Sequence, residues 1–327
     1  MEGIPEASIG SSGQKIPIIG FGTADFPFGD YDSVKQSVVN AIEVGYRHFD
    51  TAAIYQSEKP LGDAIAEALQ RDLIKSRDDL FITSKLFSNN AHSHLVLPHS
   101  HLVLPALRET LRNLGTEYLD LFLIHFPVSL KSETQFPFKP DDIVLMDFES
   151  VWKAMEECQN LGLTKAIGVS NFTCKKIDKL LATATIPPAL NQVEMNPYWQ
   201  QKELRKLCKE KGIHITAYSA LGTKGTPWQI DRRPMECDVL KQIATARGKS
   251  VAQVCLRWVY EQGVSVAVKS FNKERMKENL MIFDWELSKE ELDMIDQIPQ
   301  SRGHLCEYFI SNEGPYKSPF EFWDGEI

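Results

Sequence analysis

His48-Phe49-Asp50-Thr51-Ala52-Ala53-Ile54-Tyr55 sets a strand-like run against a polar turn, with an Asp near the end of the run and a Tyr five residues further on. Carboxylates are rarely buried without a partner. A strand that carries one to its end therefore raises the question of what the chain places opposite it. Outward from this stretch, strand-like and helical segments alternate in both directions. The strand-like runs are IIGFGTA (18–24), HFDTA (48–52), LFITSKL (80–86), LDLFLIH (119–125), KAIGVSN (165–171), ALNQVEM (189–195), HITAYSA (214–220) and SVAVKS (265–270). Helical patterns lie at 33–44, closed by Gly45, at 58–70, and in a segment ending near Leu114-Gly115. Others lie at 149–161, 174–182, 201–211, 238–247, 251–262, 273–282 and 289–298. Gly after a helical run is a common stop signal.

Several of these strands are continuous apolar runs, as expected of a parallel sheet covered by helices on its outer face. Eight strand–helix units predict an α/β fold, a closed (β/α)₈ TIM barrel formed as a single domain over 1–327. ASIGSSGQKIPII at the start reads as a β-hairpin with a Ser-Gly turn. Two helices beyond the eight and a C-terminal tail over the barrel mouth complete the expectation. A doubly wound open sheet is the competitor, and it usually carries a phosphate loop after its first strand. Here Gly20-Phe21-Gly22 is half of GxGxxG, with Asp25 in the third position, and is read as a tight turn after strand one.

Composition is that of a globular chain, 43% apolar and 24% charged. The formal net charge of −8 disfavours a general nucleic-acid binder. Mean hydropathy is −0.25 and there is no apolar run long enough to span a membrane. No secretory signal pattern is expected in MEGIPEASIGSSGQKIP. The six cysteines, Cys158, Cys174, Cys208, Cys237, Cys255 and Cys306, lack CxxC spacing and are expected as reduced thiols in a cytosolic protein.

In a barrel the active site lies at the C-terminal ends of the strands. Asp50 falls at the second strand end with Tyr55 in the turn after it, Lys85 at the third and His125 at the fourth. A single strand-end Lys is usually solvated and a single His usually a satisfied core residue. Four such groups on consecutive strands facing one mouth point to chemistry. Tyr55 is the candidate proton donor. Its phenol has an ordinary pKa near 10, and an adjacent Lys85 ammonium would favour its ionised form. Asp50 would hold Lys85 charged, and His125 would hydrogen-bond a carbonyl oxygen. No acyl-transfer nucleophile or activated water is evident, so hydride transfer fits best.

These four residues, with GYRHFDTAAIY, LGTEYLDLFLIHFP, KAIGVSNF and NQVEMNPYWQQ around them, resemble the aldo-keto reductases over essentially the whole chain. AMEECQNLGLTKAIGVSNF, SVAQVCLRWVYEQG, KSFNKERMKENLMIFDWEL and the WDGEI ending are similar to the plant reductases of specialised metabolism within that family. The resemblance implies an NADPH-dependent enzyme that reduces a ketone or aldehyde, an alkaloid ketone before a polyketide intermediate. It also implies a monomer. A non-catalytic NADPH-binding subunit on the same barrel is the alternative. By the same resemblance Ser170, Asn171 and Gln192 would bind the nicotinamide carboxamide, and Tyr218 would stack on the ring. Ser219, Leu221 and Gly222 would bind the pyrophosphate, with Ala220 standing where the family usually has Pro. Lys269, Ser270, Phe271, Asn272, Arg275, Glu278 and Asn279 match the adenosine 2′-phosphate site, which favours NADPH over NADH.

Substrate contacts are expected from Asp25, Phe26, Phe87, Phe126, Tyr198, Trp228 and the tail from Cys306 to Phe309. Many members of the family carry Trp where Phe87 and Phe126 stand here. Phe removes an indole donor and some volume, which suits a bulky ketone. His92-Ser93-His94-Leu95-Val96-Leu97-Pro98 repeats at once as His99-Ser100-His101-Leu102-Val103-Leu104-Pro105. The repeat is read as a tolerated duplication in a surface loop rather than a metal site, because the paired histidines lack carboxylate or Cys support.

Overall fold

The computed structural model describes residues 3–25, 29–92, 102–132, 134, 137–223 and 233–327. Phe26, Trp228 and most of the duplicated segment (93–101) lie outside the described residues.

The strands are β1 (Glu6–Ile9), β2 (Gln14–Pro17), β3 (Ile19–Gly22), β4 (His48–Asp50), β5 (Phe81–Leu86) and β6 (Leu119–Ile124), followed by β7 (Ser129–Leu130), β8 (Ile143–Val144), β9 (Thr164–Ser170), β10 (Leu190–Glu194), β11 (His214–Tyr218) and β12 (Ser265–Val268). The helices are α1 (Tyr31–Val44), α2 (Glu58–Gln70), α3 (Val103–Leu114), α4 (Phe148–Asn160), α5 (Cys174–Leu181) and α6 (Lys202–Lys211), then α7 (Arg233–Glu236), α8 (Asp238–Arg247), α9 (Val251–Glu261), α10 (Lys273–Leu280), α11 (Lys289–Asp296) and α12 (Pro319–Phe322). Strands β10-β11-β12-β3-β4-β5-β6-β9 close a barrel whose neighbours pair in parallel. β1 and β2 form the expected antiparallel hairpin, and β7 and β8 form a second one in the long loop after β6.

Side chains alternate across the barrel wall. Phe49, Ile82, Phe122, Ile124, Ile167 and Val169 join the large core between strands and helices. Phe81, Leu121, Leu123, Ala166 and Leu190 pack instead with Ile9 and Ile16 of the hairpin, which thereby plugs the lower end of the barrel. Along the same inward rows, apolar residues give way to polar ones toward the mouth. Phe81 is followed by Thr83 and Lys85, Leu123 by His125, and Ala166 by Gly168 and Ser170. Parity and register therefore deliver the candidate site residues to one level.

Gly20 corrects an expectation. It lies within β3, not in a turn, and a Cβ there would fall 2.5 Å from the His48 imidazole. The glycine is required by the close approach of the His48 side chain from the neighbouring strand β4. Helix caps follow ordinary chemistry: the Asp30 side chain accepts from Ser33 N at 3.1 Å, and Gly45 closes α1 at φ 112°. Glu58, the first residue of α2, is buried and accepts from Ser84 Oγ and Thr110 Oγ1, both at 2.8 Å. One carboxylate thus ties α2 to β5 and α3. α3 begins at Val103, inside the second copy of the repeat. All six cysteines are free. Among the described residues no helix is long and apolar enough to cross a membrane.

Candidate active site

The strand ends open into a cavity of about 820 Å³. At its floor Lys85, only 1% exposed, places Nζ 2.5 Å from Asp50 Oδ1 and 3.0 Å from Thr51 O. Asp50 Oδ2 accepts from Gln192 Nε2 at 2.7 Å. Both carboxylate oxygens and the ammonium therefore have partners, as a buried ion pair requires. The Lys85 ammonium faces the Tyr55 ring, 5.0 Å from its centroid. Tyr55 Oη lies 3.2 Å from His125 Nε2. Of the four residues, Asp50, Tyr55 and His125 line the cavity, and Lys85 lies beneath it.

Burial sets the protonation states. It pushes the Tyr55 phenol well above its ordinary range, and the Asp50 charge adds to the effect. It also pushes Lys85 down, against the opposing pull of Asp50. His125 is held well below the usual histidine range, first by burial and then by Lys85 and His304. The expectation of a phenol eased toward ionisation is not met: burial and the Asp50 charge both hold it protonated. The phenol keeps its proton and the imidazole is neutral. Among the described residues His125 Nδ1 has no hydrogen-bond partner, while Nε2 faces the Tyr55 hydroxyl. The pair offers an O–H and a ring nitrogen to the same point in space, which suits a carbonyl oxygen.

Of the residues expected at the cofactor, Ser170, Asn171, Gln192, Tyr218, Ser219, Leu221 and Gly222 line the cavity, as do Lys269, Ser270, Phe271 and Arg275. Asn171, at φ 65°, and Ser219, at φ 52°, both adopt the left-handed backbone, uncommon for non-glycine residues and frequent at functional turns. Asn272, Glu278 and Asn279 are not on the cavity wall. Asn272 Oδ1 caps α10 by accepting from Arg275 N at 3.0 Å, and Asn279 is buried beside the Tyr46 phenol. Gln192 is committed through its amide nitrogen to Asp50, which makes it part of the floor.

The donor set fits an anionic dinucleotide. The N-terminus of α10 favours negative charge. Arg275 borders the cavity with no ion-pair partner among the described residues, and Lys269 Nζ is 2.7 Å from Asp25 Oδ1. Asp25 thus lines the cavity as expected, but as the partner of a cation.

The opposite wall is apolar: Ile54, Phe87, Phe126 and Phe138. Phe126 stacks on His125, with centroids 4.7 Å apart and planes at 19°. Phe309 does not line the cavity. It is fully buried and stacks on Phe138 at 5.6 Å, because the 3₁₀ turn Glu307–Phe309 directs Tyr308 inward and Phe309 into the cluster with Phe322 and Trp323. Tyr198 and Cys306 do not line the cavity either: Cys306 packs in the cluster with Phe87 and Phe126, and Tyr198 against the main core. Tyr308, within the expected Cys306–Phe309 tail, does line the cavity, and so do Ile54, Phe138 and His304, none of which stands among the singled-out pocket residues. Phe138 sits in the long loop after β6. His304 stands alone in the tail, where neither spacing nor a strand end marks it.

The chain matches the aldo/keto reductase family over residues 18–300. It is 60% identical over 324 residues to the (1S)-1,7-diacetoxy-luvungin A aldo-keto reductase of Citrus sinensis, covering 99% of each chain. It is 57% identical over 323 residues to an NADPH-dependent codeinone reductase of Papaver somniferum, covering 98% of each. Among solved structures it is similar to an aldo-keto reductase of Bombyx mori in complex with NADP, with TM-score 0.80 and 36% identity over 92% of this chain and 95% of that one.

Proposed function

The chain belongs to the aldo/keto reductase family, and from that premise we propose that it reduces a bulky ketone of plant specialised metabolism with NADPH. The observation that carries the reading is the floor: a neutral Tyr55 phenol 3.2 Å from a neutral His125 imidazole, above a buried Lys85–Asp50 pair. When bound, the reduced nicotinamide supplies a hydride to the carbonyl carbon. Tyr55 then gives its proton to the carbonyl oxygen, which His125 Nε2 orients and to which it hydrogen-bonds. Lys85 faces the phenolate that this leaves, so the cation matters most when charge develops. Asp50, fixed by Gln192, keeps Lys85 in place. Solvent returns the proton to Tyr55.

Ser170, Asn171 and Tyr218 are read as holding the nicotinamide, and Arg275 and Lys269 the phosphate end. The relatives named for codeinone and for a luvungin support a bulky carbonyl substrate, as does the wall of Ile54, Phe87, Phe126 and Phe138. We take the chain as a monomer acting in the cytosol, which size-exclusion chromatography and cell fractionation check. Incubation with NADPH and a panel of polycyclic ketones, with the alcohol products identified, tests the function. Turnover of at least one ketone is expected. NADPH binding without oxidation by any carbonyl would instead favour a cofactor-binding subunit.

A further inference from the structure

The C-terminal tail carries a histidine outside the proposed machinery. Glu194, at the end of β10, grips the tail backbone: Gly303 N donates to Oε1 at 3.2 Å and His304 N to Oε2 at 2.8 Å. His304 is only 8% exposed, and its ring bridges two phenols of the cavity. Nδ1 is 3.1 Å from Tyr218 Oη, and Nε2 is 2.9 Å from Tyr308 Oη.

The direction of these bonds follows from proton counting. The Asn171 amide nitrogen donates to His125 O at 2.9 Å and to Ser170 Oγ at 3.2 Å, so Asn171 Oδ1 is the acceptor for Tyr218 Oη at 2.7 Å. The single Tyr218 proton is thereby committed, and its oxygen must accept from His304 Nδ1–H. Burial holds His304 down at about 4, so the ring is neutral and Nε2 carries a lone pair. Tyr308 Oη lies 2.9 Å from that nitrogen and 3.7 Å from Cys306 Sγ, so the shorter contact takes its proton and Tyr308 donates to the lone pair. The chain of bonds runs in one sense, from Tyr308 through His304 and Tyr218 to Asn171 and on to the His125 backbone.

We propose that His304 is a positioning residue that couples the two halves of the cavity, its Nδ1–H pinning the Tyr218 ring on the cofactor side and its Nε2 pinning the Tyr308 phenol on the substrate side. The proposal rests on the reductase reading and adds a specificity element to it. Because the two arms leave from different nitrogens, they can be cut separately. In His304→Asn the short amide N–H stands in for Nδ1–H, and in His304→Gln the longer side chain places a carbonyl near Nε2.

The test measures NADPH dissociation by fluorescence titration and ketone KM and kcat by turnover, with thermal melts of each variant. His304→Asn is expected to keep NADPH affinity within about twofold and to raise ketone KM about fivefold. His304→Gln is expected to do the reverse, each effect being that of roughly one hydrogen bond. Tyr308→Phe cuts the Nε2 bond from its other end and should raise ketone KM with NADPH affinity kept, while Tyr218→Phe, which loses its Asn171 bond as well, should weaken NADPH binding by at least as much as His304→Gln, including where a histidine variant fails to fold. Two isosteres that change both constants equally, or Phe variants that show no split, would overturn the coupling. A wild-type protein that neither binds nor oxidises NADPH would overturn the reductase reading and the coupling with it.

Discussion

The floor and the rim of the cavity are built in different ways. Asp50, Lys85, His125 and Gln192 rise from strand ends, are at most 5% exposed, and are tied into one floor by the Lys85–Asp50–Gln192 bonds, with His125 bonded to Tyr55. Ile54, Phe138, His304 and Tyr308 come from loops and the tail, and the last three meet one another and Phe87, Phe126 and Phe309 through ring contacts. Barrel register positions the first set. The second set is positioned by packing between segments far apart in sequence. Chemistry therefore belongs to the floor and selectivity to the rim, and substitutions should separate accordingly.

The largest effect is expected at the floor. Lys85→Met strands Asp50 with only Gln192, so kcat should fall about 10³-fold and stability by about 3 kcal/mol. Steady-state kinetics and chemical denaturation measure both. A loss of kcat below tenfold would break the assignment of chemistry to the floor.

Buried histidines in both regions give the next effect. His48 and His214 inside the barrel and His304 at the rim are each held at about 4 by burial. Their folded values lie below the ordinary 6.5, so the unfolded chain binds more protons between the two values. Stability is then full above about pH 6.5 and is lost as pH falls toward 4. These three protons alone correspond to about 4 kcal/mol per pH unit where all differ between the states, and His125, lowered in the same direction, adds to them. Melting temperature against pH should show that acid limb, and His304→Gln should make it shallower.

A smaller change is expected from Phe126→Trp at the rim. Its indole narrows the wall beside His125, so the kcat/KM ratio of a bulky ketone to a small aldehyde should drop about tenfold. An unchanged ratio would place selectivity elsewhere.

The smallest effect concerns the pH profile. Tyr55 is raised and His125 lowered, both mainly by burial. The protonated phenol and neutral imidazole needed for reduction are both populated at neutrality, so kcat should vary less than about twofold between about pH 6 and 8. A titration near 6.5 would show that His125 ionises in the working complex.

The same division governs what can be read from sequence. Asp50, Lys85 and His125 stand out because each closes a recognisable strand, and strand ends in a barrel share one face. Helices with local stop and start signals are equally legible: α2 and α8 match the segments read at 58–70 and 238–247. Gly20 is harder, because its reason is His48 on the paired strand β4 and not its neighbours in sequence. The tail from Cys306 to Phe309 is legible as lining, but not that Tyr308 rather than Phe309 faces inward, since adjacent residues of a 3₁₀ turn face different ways. His304 carried no local signal, because its meaning lies in Tyr218, Tyr308 and Glu194, which only the folded chain brings to it.

The most direct test of the central claim is the single-turnover rate of NADPH oxidation by a ketone substrate in Tyr55→Phe. This variant keeps the ring above Lys85 and removes only the proton-donating hydroxyl. The rate should fall at least about 10³-fold with NADPH affinity within about twofold of wild type. A rate within about tenfold of wild type would show that the proton comes from another group and contradict the role assigned to the floor.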